Sequence, residues 1–382
     1  MQADFISKDL QLAIDVLGIA QSAVKSDYGL FRSVFNPETQ AIDSAIVVAG
    51  DRVVIEHLLP VSIDKEVEFG FPISKIKPIT SDPPSPKISI LDTLKGGKIE
   101  NGFTIKCGQF SAKLVEPITD ACPQFLENIE CPDTIVSAAQ LAVALKKVKA
   151  SIFTDSAEVK QAARKIIDGV MFMGNGSNLT LFSTDNNRLA KASIACTLNK
   201  SFVLSKETVI ASHQLLEKED DTEVSIGLRY ANEDSSDIRG FRLVVGKSRL
   251  TSGVMAGKPP TSIESFFAKE LPNKIEINTA DLKKAIARLA IFSEENTVIM
   301  SISKDGAIEI HAWNYLSGEA SDKLLGINNV GADRKIKINH SYMTDALAAS
   351  NKVLLEHDDT TVRITHLDCP YNTQHVIGQM RQ

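Results

Sequence analysis

The chain has 382 residues, of which 43% are hydrophobic and 24% are charged, a composition typical of a folded globular protein. A formal net charge of −6 argues, taken alone, against a nucleic-acid-binding protein, because phosphate contacts need lysine and arginine. No apolar run reaches the roughly 20 residues that a membrane-spanning helix needs. The first residues do not resemble a secretory signal. We therefore expect a cytoplasmic protein without a membrane partner.

The cysteine and histidine patterns predict neither a metal site nor a cofactor. The five cysteines, Cys107, Cys122, Cys131, Cys196 and Cys369, never form a Cys-x-x-Cys pair, which indicates reduced thiols rather than zinc ligands. Glycine-rich phosphate loops and serine-nucleophile motifs are also lacking. An enzyme would have to use Asp185 or the pair Glu294 and Glu295 as acid–base groups. Since an acid beside a turn asparagine is more often a turn former, we expect a protein that is not an enzyme.

In chain order, the first predicted element introduces a repeat. The pattern Leu-x-x-Ala-[Ile/Leu]-x-x-[Leu/Val] begins at Leu10, Leu141 and Leu282. This spacing places one apolar stripe on each of three helices. The copies lie about a third of the chain apart, which indicates one fold used three times. We predict domains at residues 1–131, 132–272 and 273–382.

Strand-like segments follow each repeated helix and predict antiparallel meanders. They cover residues 41–56, 169–192 and 297–311, and strands resume at 105–114 and 243–252. Second helices are predicted over 204–216 and 339–349, with Ser205 and Asn339 as N-caps. In the first copy, the prolines within 72–79 predict a short or distorted helix. Residues 81–99 are the best candidate for a mobile loop.

Basic residues lie beside the apolar stripes of the repeated helices. They are Lys146, Lys147 and Lys149 in the second copy, Lys283, Lys284 and Arg288 in the third, and only Lys8 and Lys25 in the first. For a single helix, a solvated face is the ordinary explanation. Three related helices predict a shared basic surface in an otherwise acidic chain. Such a surface would contact DNA phosphates without reading sequence.

Three further segments carry a resemblance to a known family. Residues 182–190 (Phe-Ser-Thr-Asp-Asn-Asn-Arg-Leu-Ala), residues 250–260 and residues 375–381 resemble motifs of the bacterial DNA polymerase III β subunit, the replicative sliding clamp. The resemblance implies an α+β fold of three tandem DNA-clamp domains of the same topology. Helices would lie inside and antiparallel sheets outside a head-to-tail dimeric ring. The resemblance therefore implies a processivity factor for DNA replication that encircles double-stranded DNA.

The resemblance also implies three sets of site residues. A pocket for short linear peptides of the DNA polymerase III core and the clamp loader would be lined by Ile167, Thr184, Asn186, Asn187, Arg188, Leu189, Pro260, Val376, Met380 and Arg381. The DNA-facing residues would be Lys25, Lys146, Lys147, Lys149, Lys160, Arg164, Lys165, Lys283, Lys284 and Arg288. The homodimer interface would pair Leu114 with Ile291 and Phe292.

The sequence departs from the family pattern around the implied pocket. A Gly-His pair of the family is Asn186-Asn187 here, and a Met-Pro pair is Gly378-Gln379. After Pro260, the family's usual aromatic and basic residues are replaced by Thr261-Ser-Ile-Glu-Ser265. We therefore predict a more polar and flexible rim and an altered peptide preference. The alternative is a clamp-like scaffold of a mobile element or a specialised polymerase, with altered partner specificity.

Overall fold

The computed structural model describes most of the chain, and the statements below concern that part. The described residues are 2–24, 28–36, 41–50, 52–61, 63, 66–91, 94–95, 98–99, 102–114, 129, 132–152, 168–218, 222–232, 236–256, 263–348 and 350–380. The chain divides into two compact units. The first unit contains residues 1–139 and 207–254, and the second contains residues 140–206 and 255–382. No described helix is long and apolar enough to cross a membrane.

The first unit contains one large and one small antiparallel sheet. The eight-stranded sheet has the order β11-β16-β17-β18-β4-β3-β2-β5, the four-stranded sheet has the order β1-β6-β9-β10, and β7 pairs with β8. The strands are β1 (Gln2–Ile6), β2 (Tyr28–Asn36), β3 (Ala41–Ala49), β4 (Val53–Leu59), β5 (Val67–Pro72), β6 (Lys87–Leu91), β7 (Leu94–Lys95), β8 (Lys98–Ile99), β9 (Phe103–Cys107), β10 (Phe110–Leu114), β11 (Thr134–Ser137), β16 (Glu223–Tyr230), β17 (Ile238–Val245) and β18 (Ser248–Gly253).

The first repeated helix, α1 (Ser7–Val24), packs on β3 and β4 of the first unit. The predicted stripe from Leu10 to Leu17 is buried, so the pattern is confirmed for this copy. Helix α2 (Ile73–Ser81) has nine residues and contains Pro78. The mobile-loop prediction is wrong for β6, which lies between β1 and β9. Its alternating Ile88 and Ile90 are buried, as a half-buried strand requires.

The second unit also has a large and a small sheet. The nine-stranded sheet has the order β15-β12-β13-β14-β27-β26-β25-β19-β23, and the four-stranded sheet has the order β22-β21-β20-β24. The strands are β12 (Gly169–Gly174), β13 (Asn178–Thr184), β14 (Arg188–Ala195), β15 (Ser201–Ser205), β19 (Asn273–Asn278), β20 (Thr297–Ile302), β21 (Ala307–Asn314), β22 (Gly318–Leu325), β23 (Ile327–Val330), β24 (Arg334–Asn339), β25 (Lys352–His357), β26 (Thr361–His366) and β27 (Gln374–Gly378).

The remaining helices begin where the sequence places caps or apolar stripes. They are α3 (Ala138–Lys149), α4 (Lys206–Lys218), α5 (Ile263–Ala268), α6 (Thr279–Leu289) and α7 (His340–Ala346), and a 3-10 turn follows α6 at Ala290–Phe292. The side chain of Asn278 accepts hydrogen bonds from two backbone N–H groups at the start of α6, and Asn339 does the same for α7. Such a cap contributes about 1 kcal/mol. The N-cap prediction for Asn339 is confirmed.

One strand pairing in the second unit joins segments that are far apart in sequence. Strand β14 pairs antiparallel with β27, and Leu189 lies opposite Val376. This pairing continues the sheet of residues 169–205 into the strands of the C-terminal segment. It also brings together two of the residues predicted to bind peptides.

Candidate functional site

The candidate site begins at a tight turn between β13 and β14. The Oδ1 atom of Asp185 accepts hydrogen bonds of 3.0 Å from the backbone N–H groups of Asn187 and Arg188. The Oγ1 atom of Thr184 donates to the carbonyl oxygen of Arg188 at 2.8 Å. All three are local hydrogen bonds between a side chain and the backbone that close a turn. The carboxylate of Asp185 therefore holds the turn, in agreement with its interpretation as a turn former.

Asn186 occupies the most restricted backbone position of this turn. Its φ angle is 76°, in the left-handed region where glycine has no steric cost. Asparagine is one of the few other residues that enter this region readily. The replacement of the family's glycine by Asn186 therefore keeps the turn and adds an exposed amide to it.

The side chain of Arg188 ties the turn to two helices of the second unit. Its Nε atom donates to Asp185 Oδ2 at 2.8 Å, and Nη1 donates to Asp345 Oδ2 at 2.6 Å. Its Nη2 atom donates to the carbonyl oxygen of Ala150, just after α3. The guanidinium carbon lies 4.3 Å from the ring centroid of Tyr342. Arg188 therefore has mainly a structural role: it connects the turn to α7 and to the end of α3.

An apolar cluster lies beside the turn, where β14 meets β27. We use this name for the buried residues Met171, Phe182, Val203, Ile263, Phe267 and Val376 and the half-buried residues Met173, Leu189 and Met255. The rings of Phe182 and Phe267 have centroids 5.8 Å apart. Apolar walls with a few polar groups beside them are typical of sites that bind a hydrophobic side chain.

The predicted pocket residues fall into three groups. Leu189 and Val376 belong to the apolar cluster, and Thr184, Asn186, Asn187 and Arg188 form the turn. Met380 is half-buried and contacts the last small sheet: its Sδ atom accepts from Thr297 Oγ1, and its N–H donates to the carbonyl oxygen of Lys337. Ile167, Pro260 and Arg381 lie outside the described residues.

Helix α5 corrects the prediction of a polar rim. Ile263 and Phe267 are one helical turn apart, so both side chains point from one face of α5 into the apolar cluster. The i, i+4 spacing of these residues is the sequence signal for this contact. The predicted rim is therefore wrong at Ile263, because the short helix directs the one apolar residue of that segment inward.

A buried ion pair fixes the position of α5. The Nη1 atom of Arg363 donates to the carbonyl oxygens of Phe267 and Lys269, each at 2.7 Å. Its Nε atom donates to Glu356 Oε2 at 2.8 Å. Arg363 thereby satisfies carbonyl groups at the end of α5 that have no partner within the helix. No feature of the local sequence indicated this role.

Lys147 does not fit the predicted DNA-facing surface. It is only 4% exposed, and its Nζ atom donates to the carbonyl oxygen of Ala348 at 2.8 Å. Burial lowers the pKa of this lysine from its usual value. Lys147 lies three residues after Ala144, at the edge of the buried stripe. The prediction for this residue is therefore wrong, because its helix position directs it into the protein.

The other predicted cations are more accessible. Lys146 and Lys284 are exposed, and Lys149 and Lys283 are half-buried. Arg288 is exposed but donates through Nε to Asp322 Oδ2 at 2.8 Å. Lys25, Lys160, Arg164 and Lys165 lie outside the described residues. Among the described residues, no group of three His, Cys, Asp or Glu side chains could hold a metal ion.

The three predicted interface residues differ in exposure. Ile291 is exposed and Leu114, at the end of β10, is half-buried. Phe292 is half-buried and packs on the core of the second unit. An aromatic residue at this position could be part of the core instead of an interface. Part of the Phe292 side chain does pack in the core of the second unit.

Sequence comparison relates this chain to bacterial sliding clamps. Residues 264–373 match the family model described as "DNA polymerase III beta subunit, C-terminal domain". The β sliding clamp of Micrococcus luteus is 26% identical over 244 residues, which cover 63% of this chain and 72% of that protein. The clamp of Salmonella typhimurium is 30% identical over 195 residues, which cover 50% of each chain. The matched region thus spans only half of the Salmonella protein.

Structural comparison covers the whole chain. The DNA polymerase III subunit β of Pseudomonas aeruginosa has a TM-score of 0.82 at 18% identity, with 100% of both chains covered. The β subunit of Thermotoga maritima has a TM-score of 0.79 at 18% identity, with 100% of this chain and 99% of that chain covered. The architecture is that of an α+β protein with the DNA-clamp fold. By sequence, the chain is similar to the bacterial DNA polymerase III β subunit, the β sliding clamp.

Proposed function

We propose that this protein is a DNA sliding clamp that encircles duplex DNA and tethers a polymerase to it. Two copies would close head to tail into a ring, and the protein would act by binding rather than by catalysis. The observation that carries the proposal is the similarity of the complete chain to clamp structures. An apolar cluster next to a rigid turn, at the junction of β14 and β27, adds a site for partners.

The proposed DNA surface uses the accessible lysines of α3 and α6. Lys146 and Lys284 are exposed on these helices, and both would contact phosphates. Phosphate contacts position a protein on DNA without sequence specificity. The net charge of −6 means that such cations are a local feature of an acidic protein. A clamp needs a local basic surface in an otherwise acidic protein, because further contacts with DNA would hinder sliding.

The proposed partner site uses the apolar cluster. A short linear peptide would insert a large apolar side chain beside Leu189 and Val376, and Asn186 and Asn187 would contact the peptide backbone. Burial of one such anchor contributes about 1.5–3 kcal/mol. We infer the DNA polymerase III core and the clamp loader as sources of such peptides from the resemblance to the clamp family.

A topological experiment tests the proposed function. The protein is loaded onto nicked circular DNA by a bacterial clamp loader, and the complex is isolated by gel filtration in high salt. A clamp stays on the circle and is lost when a restriction enzyme linearises it. Linearisation has no effect on a protein that binds DNA through its surface alone, so equal retention on both DNA forms would contradict the proposal.

A second candidate function is a clamp-like scaffold with altered partner specificity. It is favoured by the altered turn at Asn186 and Asn187, by Gly378 in place of a larger residue, and by the buried Phe267. The N–H of Gly378 donates to the carbonyl oxygen of Asn187 at 2.9 Å, and an added Cβ would lie 3.4 Å from that oxygen. Titration with a standard clamp-binding peptide separates the alternatives. Tight binding with ordinary preference would contradict altered specificity.

A further inference from the structure

A lysine side chain lies against the apolar cluster. Lys191 is half-buried on β14, and its Nζ atom lies 5.5 Å from the ring centroid of Phe267. In the sheet, Lys191 lies opposite Phe182 on β13 and opposite the uncharged Gln374 on β27. Directly opposite residues of paired strands share one face of a sheet. The ammonium group therefore belongs to the face that carries the apolar cluster.

The charge of Lys191 lacks a hydrogen-bond acceptor. Within the part of the chain that the structure describes, its ammonium group forms neither a hydrogen bond nor an ion pair. Burial lowers the pKa of Lys191, and the charge of Glu264 on α5 opposes this shift. Glu264 is exposed, one helical turn before Phe267. A cation that has lost water without gaining an acceptor is costly, and the carboxylate of a ligand would supply that acceptor.

The position of Lys191 relative to Leu189 defines the shape of such a ligand. The two residues are two positions apart on β14, so they lie on the same face at a separation of roughly 7 Å. An extended peptide has the same repeat. A peptide whose large apolar side chain binds beside Leu189 would therefore bring the residue two positions away close to Lys191.

We propose that Lys191 makes the partner site selective for peptides that carry an acidic residue two positions from their apolar anchor. This inference rests on the proposed function and deepens it, because it names the chemistry of the partner at the same site. The acidic side chain would accept a hydrogen bond from the ammonium group of Lys191, while the anchor packs in the apolar cluster.

An acidic peptide fits this site better than a nucleic acid does. Phosphate backbones are bound by several lysine and arginine side chains together. The other cation of β14, Arg188, already donates to Asp185 and Asp345. Lys191 is therefore the one cation of β14 that can receive a ligand's carboxylate, and its surroundings are apolar.

Two fluorescently labelled peptides test the proposal. Both have a phenylalanine anchor, and the residues two positions before and after it are glutamate in one peptide and glutamine in the other. Fluorescence anisotropy gives their affinities for the full-length protein and for Lys191→Met, which keeps an unbranched apolar side chain without the charge. The wild type should bind the glutamate peptide about tenfold more tightly, as expected for a hydrogen bond between charged groups. Lys191→Met should bind both peptides equally.

Lys304→Met is the matched control, since Lys304 lies at an exposed turn of the four-stranded sheet in the same unit. This variant should keep the wild-type preference for the glutamate peptide. Chemical denaturation should show that Lys191→Met is at least as stable as the wild type, because it removes a charge that has lost water.

The inference is overturned if the wild type binds both peptides equally, or if its preference is unchanged in Lys191→Met. Both results leave the partner site standing. An equal loss of affinity for both peptides in Lys191→Met also overturns it, because Lys191 would then only support Phe267. If the wild type binds neither peptide, the proposed partner site fails together with the inference, whereas the loading experiment on circular DNA tests the clamp function separately.

Discussion

The ammonium group of Lys147 donates a hydrogen bond of 2.9 Å to Nδ1 of His366. Nε2 of His366 donates in turn to the carbonyl oxygen of Ala346 at 2.7 Å. These two bonds fix a neutral imidazole, because one ring nitrogen accepts while the other donates. The ring of His375 lies 5.4 Å from that of His366. A residue predicted to bind DNA therefore anchors α3 to β26 inside the second unit.

The first prediction concerns acid stability. Burial lowers the pKa of His366 to about 4; the hydrogen bond to the Ala346 carbonyl and the charge of Asp368 oppose this shift, whereas Lys147 and Lys283 add to it. The folded-state pKa lies below the unfolded value near 6.5, so stability is complete above about pH 6.5 and falls as pH approaches 4. We expect urea unfolding to show a loss of up to about 3 kcal/mol from His366 alone over this range.

His57 in the first unit should add to the same trend, because burial also lowers its pKa to about 4. The variant His366→Gln removes the titrating ring and should reduce the dependence of unfolding free energy on pH. Equal pH dependence in the wild type and this variant would show that His366 does not titrate as the structure indicates.

The second prediction concerns Arg188. Arg188→Ala removes the partner of the buried Asp185 and the tie to Asp345, so it should lower the free energy of unfolding by about 3 kcal/mol. Arg334→Ala is the control, since the ion pair of Arg334 with Asp359 is solvent-exposed and contributes at most about 1 kcal/mol. Chemical denaturation followed by circular dichroism measures both. Equal losses of unfolding free energy in the two variants would mean that the ion pairs of Arg188 stabilise the protein no more than a solvent-exposed ion pair does.

The third prediction compares two adjacent phenylalanines of α5. Phe267 is buried in the apolar cluster, and Phe266 is exposed. Phe267→Ala should destabilise the protein by about 3 kcal/mol and weaken the binding of a clamp-binding peptide about tenfold. Phe266→Ala should change both quantities little. Calorimetric titration at a temperature where both variants are folded measures the affinity for the peptide. If the peptide binds both variants equally well, its anchor side chain does not bind at the apolar cluster.

The fourth prediction concerns DNA contacts. Lys284→Gln should lower the slope of log affinity against log salt by about one for a short duplex, since one phosphate contact is lost. Lys304→Gln, at an exposed turn between β20 and β21, should leave the slope unchanged. Fluorescence anisotropy at several salt concentrations gives both slopes. The proposed DNA surface does not include α6 if the two variants behave alike.

Local sequence patterns predicted the repeated helices and one N-cap. The stripes beginning at Leu10, Leu141 and Leu282 are buried, and Asn339 caps α7 as expected. These features depend on residues within one or two helical turns, so a single sequence contains the information. The altered turn could be located from Asn186 for the same reason.

Contacts between residues far apart in the chain could not be predicted from the sequence. Lys147 is buried because residues near 348 and 366 accept its hydrogen bonds, and no local pattern reveals such partners. The role of Arg363 depends on carbonyl groups almost a hundred residues earlier. The family resemblance placed Leu189 and Val376 in one pocket, but their pairing in the sheet was not predicted. The three predicted domain boundaries remain a prediction.

The most direct test of the proposed clamp is negative-stain electron microscopy of the purified protein at micromolar concentration. We expect ring-shaped particles made of two copies, with a central hole wide enough for a DNA duplex. Compact or crescent-shaped particles without a hole, at a concentration where ultracentrifugation shows dimers, would contradict it.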